Sequence, residues 1–98
     1  MATTDVFSII DYSLIFGGQT QWWWLNEIPD DGSVYVLTAY PLDIFSPERL
    51  DSEGEVEVVN VAIYRQPGFR PSLTLDFGVK NRLETSTHYQ VFLATIHP

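Results

Sequence analysis

Six stretches of this chain are rich in the β-forming residues Val, Ile, Thr, Phe, Tyr and Trp, several with apolar and polar positions alternating, and no stretch of ten or more residues repeats with the 3.6-residue period of a helix. Residues 6–16 place Ile10, Tyr12, Leu14 and Phe16 on one face and Ile9, Asp11, Ser13 and Ile15 on the other, before Gly17-Gly18 ends the run. Residues 20–26 carry three consecutive tryptophans. Residues 33–40 form a third run, closed by Pro41. The fourth, residues 55–65, changes phase: Val56 and Val58 alternate with Glu55 and Glu57, then Val59, Val61 and Ile63 take over the apolar parity. Such a slip predicts a β-bulge near Val58-Val59, or a strand buried on both sides. The fifth run, residues 72–81, is the cleanest: Leu73, Leu75, Phe77 and Val79 face in, and Ser72, Thr74, Asp76 and Lys80 face out. In the sixth, residues 88–96, Tyr89, Val91 and Leu93 alternate with His88, Gln90 and Phe92.

Turn chemistry separates the runs. Pro29 precedes Asp30-Asp31-Gly32, and a Gln-Pro-Gly-Phe-Arg-Pro segment follows the fourth run. Residues 46–50 could form one helical turn, with Ser46 as N-cap and Pro47 in the first helical position. Around them lies an acidic stretch, read as a solvated loop. Ninety-eight residues form one domain with room for a core. The pattern predicts an all-β domain, an antiparallel β-sandwich of six to seven strands.

The last third, with its alternating strand ending in Val79-Lys80-Asn81, a polar turn and then Tyr89-Gln90-Val91-Phe92-Leu93, resembles the closing hairpin of immunoglobulin-like and fibronectin type III-like sandwiches. The resemblance covers about a quarter of the chain, lacks the Cys–Trp–Cys signature of true immunoglobulin domains, and implies an immunoglobulin-like fold but no activity.

Charge narrows the partners. The net charge is −8, from five Lys and Arg against thirteen Asp and Glu. Nucleic-acid binding needs cations to displace phosphate counterions, so it is disfavoured, and so is an anionic membrane surface. Residues 1–57 hold eleven acids and one base, whereas residues 58–98 hold two acids and four bases. This asymmetry predicts that the halves face each other within one fold, or that subunits complement one another. Charged residues make up only 18% of the chain, below the usual quarter, and that points to surface covered by a partner. Asp5 and Asp11 interrupt the apolar N-terminus, so neither a signal peptide nor a membrane span is expected, and the expectation is a soluble cytoplasmic product.

Catalytic chemistry is poorly represented, and the chain is read as not being an enzyme. There is no cysteine, no phosphate-binding loop and no nucleophile elbow. The two histidines, His88 and His97, have opposite parity in one strand, so they project to different faces. Two separated histidines cannot complete a zinc site. Calcium would need the oxygens of Asp30 to Ser33 or of the acids between 51 and 57, and neither segment fits an EF-hand loop. No cofactor or metal is expected.

The tryptophans carry the functional expectation. Neighbouring side chains of a strand diverge, so Trp22 and Trp24 point one way and Trp23 the other. Each ring offers about 150–250 Å² of contact. One reading is intramolecular, with Trp22 and Trp24 in the core and Trp23 under a loop or the N-terminal strand. A second is a homo-oligomer anchored by Trp23. A third is a glycan site, in which a tryptophan face stacks on a pyranose while Gln21, Asn26, Asp30 and Asp31 bind hydroxyls. A fourth, the membrane interface, is opposed by the acidic charge. Phe69, between two prolines, adds an exposed aromatic, and Phe92 and Ile96 ask for a second covered surface on the last strand. The expected function is a non-enzymatic binding module, self-associating and lectin-like, or else a structural homo-oligomeric or adaptor subunit.

Overall fold

A computed structural model of the protein describes residues 3–42, 54–66 and 72–98. The six alternating runs are six strands: β1 (Thr3–Ile15), β2 (Thr20–Pro29), β3 (Val34–Leu42), β4 (Val56–Gln66), β5 (Ser72–Asn81) and β6 (Thr87–His97). They form two three-stranded antiparallel sheets, ordered β1-β6-β3 and β2-β5-β4, packed as a β-sandwich. The possible helical turn at 46–50, most of the acidic stretch and Phe69 lie outside the described residues.

The two cleanest alternating sequences occupy the two sheet centres. β5 lies between β2 and β4, and β6 lies between β1 and β3. Their inward residues, Leu75, Phe77 and Val79 from β5 and Tyr89, Val91 and Leu93 from β6, meet Ile15 and Ile28 in one core. Trp23, Leu25, Leu37 and Val58 close around it. A central strand has neighbours on both edges, so its inward side chains are covered from every side. The edge strands β1 and β4 carry much of their length in water.

Both ends of the slip predicted in the fourth run are visible. The β4–β5 register shifts between Val59 and Ala62, where Asn60 takes a positive φ of 52°. A second irregularity, in β2 between Leu25 and Ile28, centres on Glu27 with φ 59°. The simple alternation read for the first run does not survive. Two register shifts in β1, between Ser8 and Ile10 and between Ile10 and Ser13, turn Ile10 onto the core while Tyr12, Leu14 and Phe16 stay exposed. Bulges add a residue to one strand and so exchange its faces.

The segment that resembles a closing hairpin is not one. β5 and β6 belong to different sheets, and residues 82–86 carry the chain across the sandwich. Asn81, fully buried, holds this crossing: its Nδ2 donates to Ile15 O (3.3 Å) and Thr85 O (2.8 Å), and its Oδ1 accepts from Leu83 N (3.0 Å). The β1–β2 turn docks on the same crossing, with Gly18 N donating to Leu83 O at 2.8 Å. A Cβ on Gly17 would fall 1.9 Å from Glu84 O, so only glycine permits this approach.

One polar chain joins the sheets inside the core. Trp23 Nε1 on β2 donates to the Tyr89 hydroxyl on β6 at 2.7 Å. That hydroxyl in turn donates to Gln21 Oε1, and Gln21 Nε2 donates to Leu14 O of β1 at 2.9 Å. A buried phenol left without partners would be costly, and here both of its functions are used. Desolvation raises the Tyr89 pKa above its ordinary value near 10, partly opposed by the bonds with Trp23 and Ser13. The folded state therefore holds this proton longer than the unfolded chain does. Its contribution to stability is complete below about pH 10 and falls as pH rises through the folded-state value. Tyr89→Phe should cost about 1–3 kcal/mol in urea melts at neutral pH, because Trp23 Nε1 loses its acceptor, while Gln21 Oε1 keeps only the 3.3 Å bond from Ser13 Oγ. It should also make the alkaline loss of stability shallower; an unchanged alkaline limb would place that loss on other groups.

Candidate aromatic platform and the His97 cluster

Alternation in β2 divides the tryptophans as the sequence requires. Trp23 turns inward, whereas Trp22 and Trp24 stand 58% and 65% exposed on the outer face of the β2-β5-β4 sheet. The intramolecular reading, with Trp22 and Trp24 in the core, is thereby corrected: Trp23 shares parity with Gln21 and Leu25, and that side faces Tyr89 and the core.

The floor beneath Trp22 is Gly78, its cross-strand partner. A Cβ built on Gly78 would lie 2.7 Å from Cζ3 and 2.9 Å from Cε3 of Trp22, and 3.0 Å from Val59 Cγ2. The six-membered ring of Trp22 therefore rests against the β5 backbone at Gly78, beside Val59 of β4, while the residue as a whole is 58% exposed. Trp24 is paired with Asp76, and Asp76 is paired with Ala62 on β4. Asp76 also accepts a hydrogen bond from the Tyr64 hydroxyl, whose pKa is raised first by desolvation and then by this carboxylate. Lys80 closes the row above, between Thr20 and Glu57. The result is an aromatic surface bordered by two carboxylates, Asp76 and Glu57, one ammonium and one phenol.

Of the polar residues assigned to the tryptophans from sequence, Asn26 shares their exposed face of β2, and the other three are engaged elsewhere. Gln21 is spent on the interior chain of hydrogen bonds. Asn26 Oδ1 accepts from Thr74 Oγ1 at 3.1 Å. Asp30 binds Arg65 Nε at 2.7 Å. Asp31 Oδ1 accepts from Ser33 N (3.0 Å) and Ser33 Oγ (2.5 Å) within the β2–β3 turn, where Gly32 has φ 81°. Asp76, Lys80 and Tyr64 were missed as companions of the platform. Asp76 and Lys80 could be read as outward residues of β5, but only strand order places them beside Trp22 and Trp24.

The charge asymmetry is resolved, among the described residues, by pairing across the chain. Besides Arg65–Asp30, Arg82 lies 2.7 Å from Glu57 and 3.5 Å from Glu55. Both arginines are largely exposed, so solvent and salt screen these pairs and they add little to stability.

A second cluster sits at the far end of the sandwich. His97 Nε2 lies 3.0 Å from Asp5 Oδ2, and its Nδ1 lies 3.1 Å from Ser33 Oγ and 3.9 Å from Asp31 Oδ2. It ties β1, β6 and the β2–β3 turn together beside a cleft floored by Phe7, Ile28 and Leu93. The residue types are those of a Ser-His-Asp triad, but Ser33 directs its proton to Asp31 Oδ1, which is not the base a nucleophile needs. His88 projects from the opposite face and packs edge-on against Tyr12 with ring centroids 5.3 Å apart. No group of three or more His, Cys, Asp or Glu able to hold a metal ion occurs among the described residues.

Two measurements check these arrangements. Gly78→Ala should tilt the Trp22 ring and alter the near-ultraviolet circular dichroism, while stability changes by less than about 1 kcal/mol, because a side-chain tip can move aside. An unaltered spectrum would mean that the ring does not rest on Gly78. The hydrogen bonds from Ser33 hold the Asp31 carboxyl below the usual value of 3.8, with the nearby His97 acting in the same direction. A depressed folded-state value means that the stabilisation is present above that ordinary value and is lost as pH falls through the folded one. Ser33→Ala should therefore move the Asp31 midpoint upward in a carboxyl NMR titration; a midpoint that stays put would deny the serine that role. No protein-family model, no curated protein and no solved structure matches this chain.

Proposed function

We propose that this chain is a non-enzymatic binding module that works as an oligomer, and that the Trp22–Trp24 face is a carbohydrate-binding surface of the lectin kind. The observation that carries the reading is the pair of exposed indoles, Trp22 at 58% and Trp24 at 65%, side by side on one outer sheet face, with the six-membered ring of Trp22 resting against Gly78. A soluble domain gains nothing by holding two large rings in water, and exposed aromatic patches of this kind mark sites of contact. A flat indole matches the C–H face of a pyranose, and Asp76 and Lys80 beside it can accept from and donate to ring hydroxyls. These two residues join Asn26, and replace Gln21, Asp30 and Asp31, as the polar partners in this reading. The acidic charge supports a neutral ligand over nucleic acid or an anionic membrane.

The sandwich is read as immunoglobulin-like. In that fold strands B, E and D are neighbours in one sheet and C pairs with F in the other. The orders β2-β5-β4 and β3-β6 follow this plan, with β1 beside β6 where the last strand of that fold would run. The likeness speaks to architecture, and nothing about a ligand follows from it.

A structural homo-oligomeric or adaptor subunit is the second reading. It is favoured by a separate observation, the large apolar side chains exposed on the other sheet: Val6, Val34, Val36, Tyr40 and Ile96.

Titration of tryptophan fluorescence with a panel of mono- and oligosaccharides separates the two. In the binding reading at least one sugar shifts the emission in the millimolar range or below, and Trp22→Ala removes the response with the fold intact. Silence across the panel, with an oligomer that persists, would leave the structural reading.

A further inference from the structure

Among the described residues, the outer face of the β1-β6-β3 sheet carries no Asp, Glu, Lys or Arg in its central rows. Cross-strand register sets Thr4, Ile96 and Val34 in one row, Val6, Ala94 and Val36 in the next, Ser8, Phe92 and Thr38 in the third, then Gln90 and Tyr40. Tyr40 and Phe92 pack edge to face, with centroids 5.7 Å apart, beside a shallow depression floored by Ala94 and Thr38. The nearest acid, Asp11, sits at the rim and accepts from Ser8 Oγ at 2.9 Å. The opposite outer face, by contrast, carries Glu57, Asp76 and Lys80.

We infer that this uncharged face binds the same face of a second copy, so that two sandwiches stack back to back and present their Trp22–Trp24 platforms at opposite poles. The inference rests on the self-associating reading above and names its surface. Three observations point to a second copy. First, an isologous contact requires a face complementary to itself, and an uncharged apolar face meets that condition without desolvating a charge. Second, two chains of charge −8 repel each other over most of their surfaces, and these rows let them meet without opposing carboxylates. Third, the large apolar side chains of these rows stand in water: Val6 is 62% exposed, Val34 56%, Val36 45%, Tyr40 42% and Ile96 36%, and contiguous apolar exposure of this kind marks a contact surface. The molecule is also a slab, 44 × 28 × 16 Å between Cα extremes, and its broad surfaces are the two outer sheet faces. Stacked sheets about 10 Å apart are the ordinary way to cover such a face. The functional consequence is bivalency: two platforms on one rigid body engage a repeated ligand with an avidity that neither has alone.

Sedimentation equilibrium of the full chain, with Ala94→Arg and Val36→Lys compared with wild type, tests the inference. Wild type should have twice the protomer mass at tens of micromolar and associate more tightly as salt rises. Each variant should weaken association more than tenfold while keeping the wild-type circular dichroism. The chain has no cysteine, so single nitroxide labels can be placed cleanly. Labels at Thr38→Cys should lie closer together in the dimer than labels at Lys80→Cys, which four stacked sheets separate by roughly 30 Å or more. A wild-type chain that stays monomeric up to millimolar concentration overturns both the inference and the self-associating reading. An oligomer whose mass ignores both substitutions, or whose Lys80 labels are the closer pair, overturns this interface alone and leaves that reading in place. If a variant misfolds, the label distances decide.

Discussion

The structure depends on one bond between its layers. Trp23 from one sheet and Tyr89 from the other meet in the core, and Gln21 completes their hydrogen bonding. Because neighbouring side chains of a strand point to opposite faces, seating Trp23 there obliges Trp22 and Trp24 to face outward. The exposed aromatic platform is the geometric consequence of the buried bond. It could be removed by changing Trp22 and Trp24 to small polar residues without touching the core, yet the chain keeps both rings in water. That retention is what makes the outer face a functional candidate.

The same logic extends to the other sheet. β6 is central, and its inward residues Tyr89, Val91 and Leu93 are buried. Its outward residues Phe92, Ala94 and Ile96 are apolar as well, and among the described residues their cross-strand neighbours are those of β1 and β3. Both broad faces of a thin sandwich are thus apolar or aromatic, and they differ in charge. One is edged by ionised groups that suit a polar ligand, and the other is neutral across its rows. In the arrangement proposed above, the ligand and the second copy occupy different faces and do not compete.

Most of the strand inventory was legible in the chain, because period-two alternation is a local signal. The phase change in residues 55–65 located a real register shift. Two readings failed for lack of long-range information. The polar turn after Asn81 looks the same whether the chain folds back beside itself or crosses to the other sheet, and Asn81 shows its role only when Ile15 and Thr85 are beside it. In β1, two bulges undid a parity that looked regular. The placing of Gln21 near a surface ligand failed on a signal that was present: it shares parity with Trp23, so whichever side took Trp23 took Gln21 too.

Alternation, turn residues and net charge by themselves determined an acidic all-β domain of about six strands, and they determined that three consecutive tryptophans could not share one interior. They could not say which of the two parities was buried. That choice rests on Tyr89, 66 residues away in sequence, and on the order of strands that sets Gly78 under Trp22 and Asp76 beside Trp24. Alternation is a property of the backbone of one strand, whereas burial is a property of what packs against it, and only the tertiary structure supplies that neighbour.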